Sequence, residues 1–201
     1  MSSSFIPASP INDLASWAAQ KPVPDDGRLT PDLVALAQSG VSVALASCDP
    51  DGRLVVGVGI GCRIRPDGTI RALPGRAANA ALLDAIAAGG RIAITFPGAP
   101  DHRAFQVKAA SATLREALSD DLPEIDRQCA VLADGLVEIG FSRELADGYV
   151  AHDPDDIVAI EFLPERVSTQ TPGPGAGAEL TRWPRPASIH CARRWKAWWP
   201  R

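Results

Sequence analysis

Two turns, each set between segments of alternating β-branched residues, constrain the fold of this chain most strongly. The first turn is Asp-Pro-Asp-Gly at residues 49–52, and the second is Pro-Asp-Gly at residues 66–68. Turns of this composition join antiparallel strands, because proline and aspartate favour the reversal and glycine adopts the positive φ that it requires. The pattern predicts three consecutive antiparallel strands, over residues 41–48, 53–65 and 69–73.

The rest of the chain adds helices and further short strands to this meander. Thr30 followed by Pro31 marks the start of a short helix, because threonine is a good N-cap and proline fits the first helical turn. Short strands in hairpins with inserted helices favour a small antiparallel barrel with α additions. The patterns predict helices over residues 76–88, 124–139 and 142–151, two strands over 91–96 and 104–114, and a closing strand over 157–163 that extends to 171.

The second strand of the meander carries Gly57, Gly59 and Gly61 at alternate positions. Because side chains alternate between the two faces of a strand, this spacing leaves one face bare and lets another group approach the backbone closely. A β-bulge or a tight bend of the barrel explains the same glycines equally well. The sequence leaves both interpretations open.

Composition and cysteine spacing narrow the class of protein. The chain has 201 residues, 46% of them hydrophobic, which suits one globular domain, and its net charge of -4 gives no general attraction to nucleic acid. The four cysteines lie far apart without a Cys-x-x-Cys pair, and the N-terminal residues lack the basic and apolar runs of a signal peptide. We therefore predict a cytoplasmic protein with reduced thiols and no metal site.

The two ends of the chain differ in composition from its middle. Residues 1–28 are rich in proline and serine and are predicted to form an arm, and residues 29–178 to form the barrel domain. Residues 179–201 hold six basic residues, one acid and four of the five tryptophans, whereas residues 1–178 carry a net charge of -9. The opposite charges favour docking of this tail on the acidic body of the protein or of its partner. Contact of the tail with an anionic membrane surface is the alternative.

Three strings stand at matching places in this order of elements: SCDPDGRL at residues 47–54, FQVKA at 105–109 and TQTPGPGAG at 169–177. Together with the order itself, they make the chain resemble the pyridoxamine 5′-phosphate oxidase-like family of FMN-binding split barrels over residues 30–177. The resemblance implies a mainly β, α+β fold built on a six-stranded antiparallel split β-barrel of the flavin-reductase type. It also implies a homodimer that binds FMN at the dimer interface.

In this family, the FMN phosphate is held at the start of the helix after the third strand. The matching positions here are Ala77, Ala78 and Asn79, which lack the charged donors that a phosphate dianion prefers. Neighbouring basic side chains are expected to replace them, and Gln106 matches a glutamine that faces the flavin. The resemblance thus implies six cofactor-binding residues: Arg63, Arg65, Arg76, Asn79, Gln106 and Lys108.

Two functions follow from this resemblance. The first is an FMN-dependent oxidoreductase acting on a small molecule, in which the flavin supplies the redox chemistry and the protein binds and orients it. The alternative, motivated by the missing phosphate ligands, is a dimeric binding or regulatory module that carries haem, a deazaflavin or no cofactor. For haem, His102 is the first candidate for the axial ligand. No catalytic residue is identified.

Overall fold

The computed structural model describes residues 29–182 of the chain. The predicted arm of residues 1–28 lies outside the described residues, and so does the tail from residue 183 onward with its four tryptophans. Docking of the tail on the protein and its contact with a membrane therefore stay predictions.

The described residues form four α-helices, one 3-10 turn and nine strands. The helices are α1 (Pro31–Ala37), α2 (Ala80–Ala87), α3 (Asp121–Glu138) and α4 (Arg143–Val150), and the 3-10 turn is Pro154–Asp156. The strands are β1 (Val43–Cys48), β2 (Leu54–Ile64), β3 (Ile70–Pro74), β4 (Ile92–Pro97), β5 (Ala104–Ala109), β6 (Thr113–Glu116), β7 (Val158–Phe162), β8 (Arg166–Thr169) and β9 (Glu179–Arg182). Within this part of the chain, no helix is long and apolar enough to cross a membrane.

All nine strands belong to one sheet with the order β6-β7-β3-β2-β1-β4-β5-β8-β9, and every neighbouring pair is antiparallel. The predicted meander of β1, β2 and β3 and the mainly antiparallel α+β architecture are confirmed. The predicted count of six strands is too low, because β6 extends one end of the sheet and β8 and β9 extend the other.

Two predicted long strands are each divided into two, and this explains two of the three additional strands. The third, β9, is formed by the first four residues of the segment predicted as the tail, residues 179–201. The strand predicted over residues 104–114 divides into β5 and β6, and the one predicted over 157–171 divides into β7 and β8. The two breaks lie side by side: Ala110 N–H donates to Glu165 Oε1 (3.0 Å), and Glu165 N–H donates to the Lys108 carbonyl (2.8 Å). These contacts satisfy the backbone at both breaks. The divided halves can therefore pair at opposite ends of the sheet.

A β-bulge in β2 turns its side chains from one face of the sheet to the other. The register between β2 and β3 shifts between Gly59 and Gly61. Before the bulge, a Cβ on Gly59 would meet the core residue Val43, whereas after it Cys62 lies in the core and Gly61 faces α3. The bulge interpretation of the glycines is confirmed, and the three glycines do not share one face.

The groups that approach the bare backbone of β2 are amide side chains of the chain itself. Asn79 Oδ1 accepts a hydrogen bond from Val58 N–H (3.0 Å), and Asn79 Nδ2 donates to the Val58 carbonyl (3.2 Å). Gln128 of α3 makes the same pair of bonds to Cys62, at 3.0 and 2.7 Å. Val58 lies beyond the residues of β2 that pair with β3, and Cys62 beyond those that pair with β1. Each amide thus completes the backbone pairing of β2 where a neighbouring strand has ended.

Two cores form on opposite faces of the sheet. The main core lies between the interior face and the helices α1 and α2, and the rings of Phe96 and Phe105 stack there with centroids 4.9 Å apart. The smaller core lies under α3, on the opposite face of β2, β3 and β7, where Leu73, Ile125 and Ala159 pack together. The face of β1, β4, β5, β8 and the first half of β2 that points away from the main core is called the outer face below. None of the outer-face side chains discussed below is buried.

Candidate functional site

Arg63 and Arg65, two of the predicted FMN ligands, are engaged in ion pairs near the start of α3. Arg63 Nη1 lies 2.8 Å from Asp120 Oδ2 and 3.0 Å from Asp121 Oδ1. Arg65 Nη2 lies 2.9 Å from Glu161 Oε1. After the bulge in β2, the side chains of Arg63 and Arg65 lie on the side of the strand that faces α3. Gln106 and Lys108 lie on β5, away from α3. Arg63 and Arg65 as cofactor ligands stay a prediction that this geometry does not favour.

The same carboxylates enclose Arg71, which is only 2% exposed. Its guanidinium is hydrogen-bonded to Asp121 and to Glu161, the residue directly opposite on β7. Burial disfavours the charged form of Asp121, but hydrogen bonds from Arg71, from Leu118 N–H and from Arg63 outweigh this effect and lower its pKa. We call Arg63, Arg71, Asp121 and Glu161 the ion cluster; it joins α3 to the sheet.

The turn before α2, where the resemblance places the FMN phosphate, is occupied by carboxylates of the chain. Arg76 Nη2 lies 3.2 Å from Glu116 Oε2. Ala77 N–H donates to both carboxylate oxygens of Asp156, at 3.0 and 3.2 Å, and Arg76 N–H donates to the Asp156 carbonyl (2.7 Å). A phosphate dianion would have to displace the Asp156 carboxylate against like-charge repulsion. The FMN phosphate therefore does not fit this turn.

Asn79 does not offer a free donor to a ligand either. The residue is 5% exposed, and besides its two bonds to Val58 its Nδ2 donates to the Gly75 carbonyl (2.8 Å). Both amide hydrogens are thus used within the chain. The expected role of Asn79 as a cofactor ligand lacks support from this geometry, and its evident role is to hold β2 against the turn before α2.

Gln106 and Lys108 both point to the outer face, where they join residues from the neighbouring strands in two cross-strand rows. Residues directly opposite each other in an antiparallel sheet point to the same face, so the strand registers define each row. The polar row runs from β2 through β1, β4 and β5 to β8, as Val58, Ala44, Thr95, Gln106 and Ser168. The basic row follows the same strands, as Val56, Ala46, Ala93, Lys108 and Arg166. Each row spans about 19 Å.

The polar row places hydroxyl and amide groups next to one another. Gln106 Nε2 donates to Thr95 Oγ1 (2.9 Å), and Gln170 Nε2 donates to Ser168 Oγ (3.3 Å). Thr95, Gln106 and Ser168 are half-buried, and they retain hydroxyl hydrogens and carbonyl lone pairs for a ligand. This row therefore offers both donors and acceptors on one flat surface.

Beside these polar groups lies an apolar strip, formed by Leu54, Val56, Val58, Ala44 and Ala46 on β1 and β2. The three larger side chains are strongly exposed, at 70%, 68% and 50% respectively for Leu54, Val56 and Val58. Single exposed apolar residues are common on protein surfaces, but a contiguous apolar strip marks a contact surface. The outer face thus combines an apolar half with a polar and basic half.

Of the six expected ligands, the structure brings Gln106 and Lys108 together on the outer face. Thr95, Ser168 and Arg166 also lie at this site, although they were not predicted from the sequence. They occur on β4 and β8, and nothing in the sequence states which strand lies beside β5. The alternation of side chains along a strand was the one signal in the sequence that could have helped. It places Arg166 and Ser168 on the same face of a short strand.

A second group of reactive residue types lies elsewhere, between α3 and the segment after α4. Cys129 Sγ is 3.9 Å from His152 Nδ1, and His152 Nε2 is 3.4 Å from Asp126 Oδ1. Burial, with a smaller contribution from Asp126, raises the pKa of Cys129 to about 11. The thiol therefore stays protonated near neutral pH, and the group is not a nucleophilic site. Among the described residues, no cluster of histidine, cysteine, aspartate and glutamate could hold a metal ion.

His102, the candidate haem ligand, lies exposed in the loop between β4 and β5 and has a positive φ of 55°. Positive φ is unusual for residues other than glycine, although histidine adopts it more often than most. Asp101 Oδ1 caps this loop by accepting a hydrogen bond from Arg103 N–H (3.0 Å). The position of His102 is explained by this turn without a ligand.

No protein-family model matches the chain, and no curated protein is similar to it in sequence. Solved structures of similar fold include a pyridoxamine 5′-phosphate oxidase-related, FMN-binding protein of Nostoc punctiforme, which is 15% identical (70% of this chain, 84% of that chain, TM-score 0.41). HupZ of Group A Streptococcus is 17% identical (74% and 99%, TM-score 0.47). HutZ, the heme storage protein of Vibrio cholerae, is 19% identical (71% and 94%, TM-score 0.41). The family that the sequence resembles is thus represented among the solved structures to which this chain is similar.

Proposed function

We propose that this protein binds a small, planar heteroaromatic ligand on its outer face. The observation that carries the proposal is the polar row, in which Thr95, Gln106 and Ser168 lie side by side on three neighbouring strands. The polar edge of a heterocycle presents alternating donors and acceptors, which a hydroxyl-amide-hydroxyl row can match. Small-molecule sites combine such a few polar groups with apolar surface, and the apolar strip supplies that surface beside the row.

This proposal is for a binding module rather than for FMN chemistry at the turn before α2. The Asp156 carboxylate takes the anion-binding groups of that turn, and Arg76 is paired with Glu116. The polar row of the outer face carries no charged side chain from β2 to β8. The free cysteines Cys48, Cys62 and Cys129 support a cytoplasmic setting.

We further propose that two copies of the chain pack together through the apolar strip. The strip contains no charged residue, so a second copy can lay the same surface on it without burying an unpaired charge. A two-fold contact of this kind needs a self-complementary surface. The small alanines of β1 lie beside the larger side chains of β2, so the larger side chains of one copy can pack against the alanines of the other. The polar half of each outer face would then lie at the edge of the interface.

The binding proposal is tested by titrating the protein with riboflavin and FMN and following flavin fluorescence. We expect binding by the natural chain and about tenfold weaker binding by Gln106→Leu, because one hydrogen bond to the ligand is lost. Ser111→Ala, an exposed serine between β5 and β6, serves as the matched control and should bind normally. If neither flavin binds, or if Gln106→Leu binds as tightly as the natural chain, a flavin-like ligand on this row is contradicted.

The dimer proposal is tested by Val56→Lys, which places a charge at the middle of the apolar strip. Light scattering after gel filtration should give a dimer for the natural chain and a monomer for the variant, because an unpaired buried charge costs more than the contact supplies. Leu145→Lys alters another exposed apolar residue, on α4, and should leave the dimer intact. A natural chain that is monomeric at micromolar concentration, or a Val56→Lys dimer, argues against the strip as the interface.

An FMN-dependent oxidoreductase is the second candidate. Gln106, which the resemblance places against the flavin, is half-buried on the proposed ligand face, and this position favours the candidate. A visible flavin spectrum in the protein as purified distinguishes a resident flavin from a ligand that binds only on addition.

A further inference from the structure

The acidic charge of the chain is concentrated in the segment that spans α3, α4 and the 3-10 turn. Residues 120–156 hold eleven acidic and two basic side chains, whereas the rest of residues 1–178 holds twelve of each. The two basic residues of the segment are themselves paired with its acids. The segment thus carries the whole excess of acids over bases in residues 1–178, and its field attracts a basic partner.

Three exposed apolar side chains lie close together on this pair of helices: Val131 on α3, and Leu145 and Tyr149 on α4. Their exposed fractions are 46%, 57% and 51%. Leu145 and Tyr149 are one helical turn apart and so share a face of α4. Val131 and Tyr149 both lie against the segment between α1 and β1. A Cβ on Gly40 would be 2.7 Å from Val131 Cβ, and Tyr149 Oη is 3.1 Å from Ser42 Oγ.

Carboxylates lie beside these apolar side chains. Asp134 and Glu138 are exposed and follow Val131 by three and seven residues, which places all three on one face of α3. Arg143 Nη2 lies 2.7 Å from Asp134 Oδ1, and Arg143 Nη1 lies 3.5 Å from Asp147 Oδ1, so one guanidinium faces two carboxylates. We call Val131, Asp134, Leu145 and Tyr149 the helix patch.

Residues 183–201 have the complementary composition. They contain four tryptophans and five basic residues, without any aspartate or glutamate. Tryptophan and arginine are enriched where protein surfaces bind each other, because large rings bury much apolar area and guanidinium groups pair with carboxylates. A basic, aromatic segment therefore matches a surface that combines apolar side chains with acids.

The length of this segment is sufficient to reach the helices. Strand β9 ends at Arg182, and residues 183–201 can span at most about 60 Å when extended. A domain of the size of residues 29–182 has a radius of gyration of about 15 Å. The segment can therefore reach α3 and α4 from the end of β9 without help from a second chain.

We propose that residues 183–201 dock on the helix patch of the same chain, with tryptophans against its apolar side chains and basic residues against its carboxylates. This assigns a place to the docking that the opposite charges predict. Opposite charges orient the contact, and burial of the rings stabilises it. A second copy of the patch would instead bring carboxylates against carboxylates, so a two-fold contact suits this surface less well.

Tryptophan fluorescence tests the docking in the full chain, because residues 29–182 contain no tryptophan. Trp17→Phe leaves only the four tryptophans of residues 183–201 and serves as the parent of every variant. The folded parent should emit at shorter wavelength, and be quenched less by acrylamide, than the same protein unfolded in urea, because docked rings are shielded from water. Equal emission and quenching in the folded and unfolded parent would overturn the proposal.

Leu145→Lys should release the segment, because it removes an apolar contact and adds a charge that repels the basic residues. We expect the emission to shift to longer wavelength and the quenching to rise toward that of the unfolded protein. Leu163→Lys is the matched control: Leu163 follows β7, is 54% exposed and should leave the parent spectrum unchanged. A spectrum that Leu145→Lys does not alter, or that both variants alter equally, would rule out the helix patch.

Asp134→Lys tests the acidic part of the patch and should release the segment in the same way. Asp51→Lys is its control, because each of these aspartates is 73% exposed and paired with an arginine. Arg193→Glu combined with Arg194→Glu should also release the segment, and it leaves residues 29–182 unaltered. Unchanged protection in both Asp134→Lys and this double variant would contradict docking through opposite charges.

Two further measurements distinguish other locations of the segment. Protection should persist in Val56→Lys, the variant expected to be monomeric. Its loss there would assign the segment to the patch of the partner subunit and overturn docking within one chain. A parent whose tryptophans are unprotected in solution, and whose emission shifts only with vesicles of phosphatidylserine and phosphatidylcholine, would replace the docking by contact with an anionic membrane.

Discussion

Asp121→Ala is expected to lower the free energy of unfolding by about 3 to 5 kcal/mol, the usual effect of removing one partner from a buried ion pair. The Asp121 side chain is fully buried, and Arg71, which it holds, is only 2% exposed. Without this carboxylate, the guanidinium of Arg71 keeps Glu161 but loses its fully buried partner, and Leu118 N–H loses its acceptor. Equilibrium unfolding in urea, followed by circular dichroism, measures the change.

Asp120→Ala is the matched control for this variant. Asp120 is adjacent in sequence and also pairs with Arg63, at 2.8 Å, but its side chain is 65% exposed. Because exposed ion pairs contribute little, the loss should stay below about 1 kcal/mol. Equal losses for the two variants would show that burial of the ion cluster does not determine its contribution.

The same cluster makes the stability depend on pH in a defined direction. The pKa of Asp121 is lowered in the folded protein, so its contribution is complete above the pKa of the unfolded chain, about 4. As the pH falls below that value through the lower folded pKa, protonation removes the contribution. Unfolding measured between about pH 5 and 2 should therefore show a shallower dependence in Asp121→Asn than in the natural chain.

Gly57→Ala is expected to cost about 2 to 4 kcal/mol of unfolding free energy, a combined effect of overpacking and a broken hydrogen-bond clamp. A Cβ at this position would lie 2.2 Å from Asn79 Oδ1 and 2.9 Å from Leu82 Cδ2. Asn79 would have to move, and Val58 N–H would lose the acceptor that completes its pairing. The same urea experiment measures the loss.

Gly148→Ala is the matched control, because Gly148 lies inside α4 and a Cβ there would meet nothing within 4 Å. This variant should gain up to about 1 kcal/mol, since alanine favours the helix. A double variant with Asn79→Ala tests the cause: the cost of Gly57→Ala should shrink when the side chain it would strike is absent. An undiminished cost in the double variant would mean that Asn79 is not the obstacle.

Several elements could be predicted from the sequence because they depend on interactions between adjacent residues. The turns at residues 49–52 and 66–68 form as predicted, and their glycines adopt φ values of 83° and 89°. Ser142, the first residue of the helix predicted over 142–151, caps α4, because its Oγ accepts a hydrogen bond from Leu145 N–H (3.2 Å). A turn or a helix cap depends on a few adjacent residues, so its free energy is largely contained in the local sequence.

The site depended on relations between residues that are far apart in the chain. Arg63 had the charge of an anion ligand, but its partner Asp121 lies on a helix that follows four further strands in the chain. Gln106 was identified from its local string, whereas Thr95 and Ser168 became its neighbours only through strand pairing. An ion pair or a cross-strand row has no free energy until the chain has folded and fixed its register. The sequence by itself therefore determined the turns, the caps and the antiparallel meander, and the tertiary structure alone decided which charged groups are paired and which polar groups share the outer face.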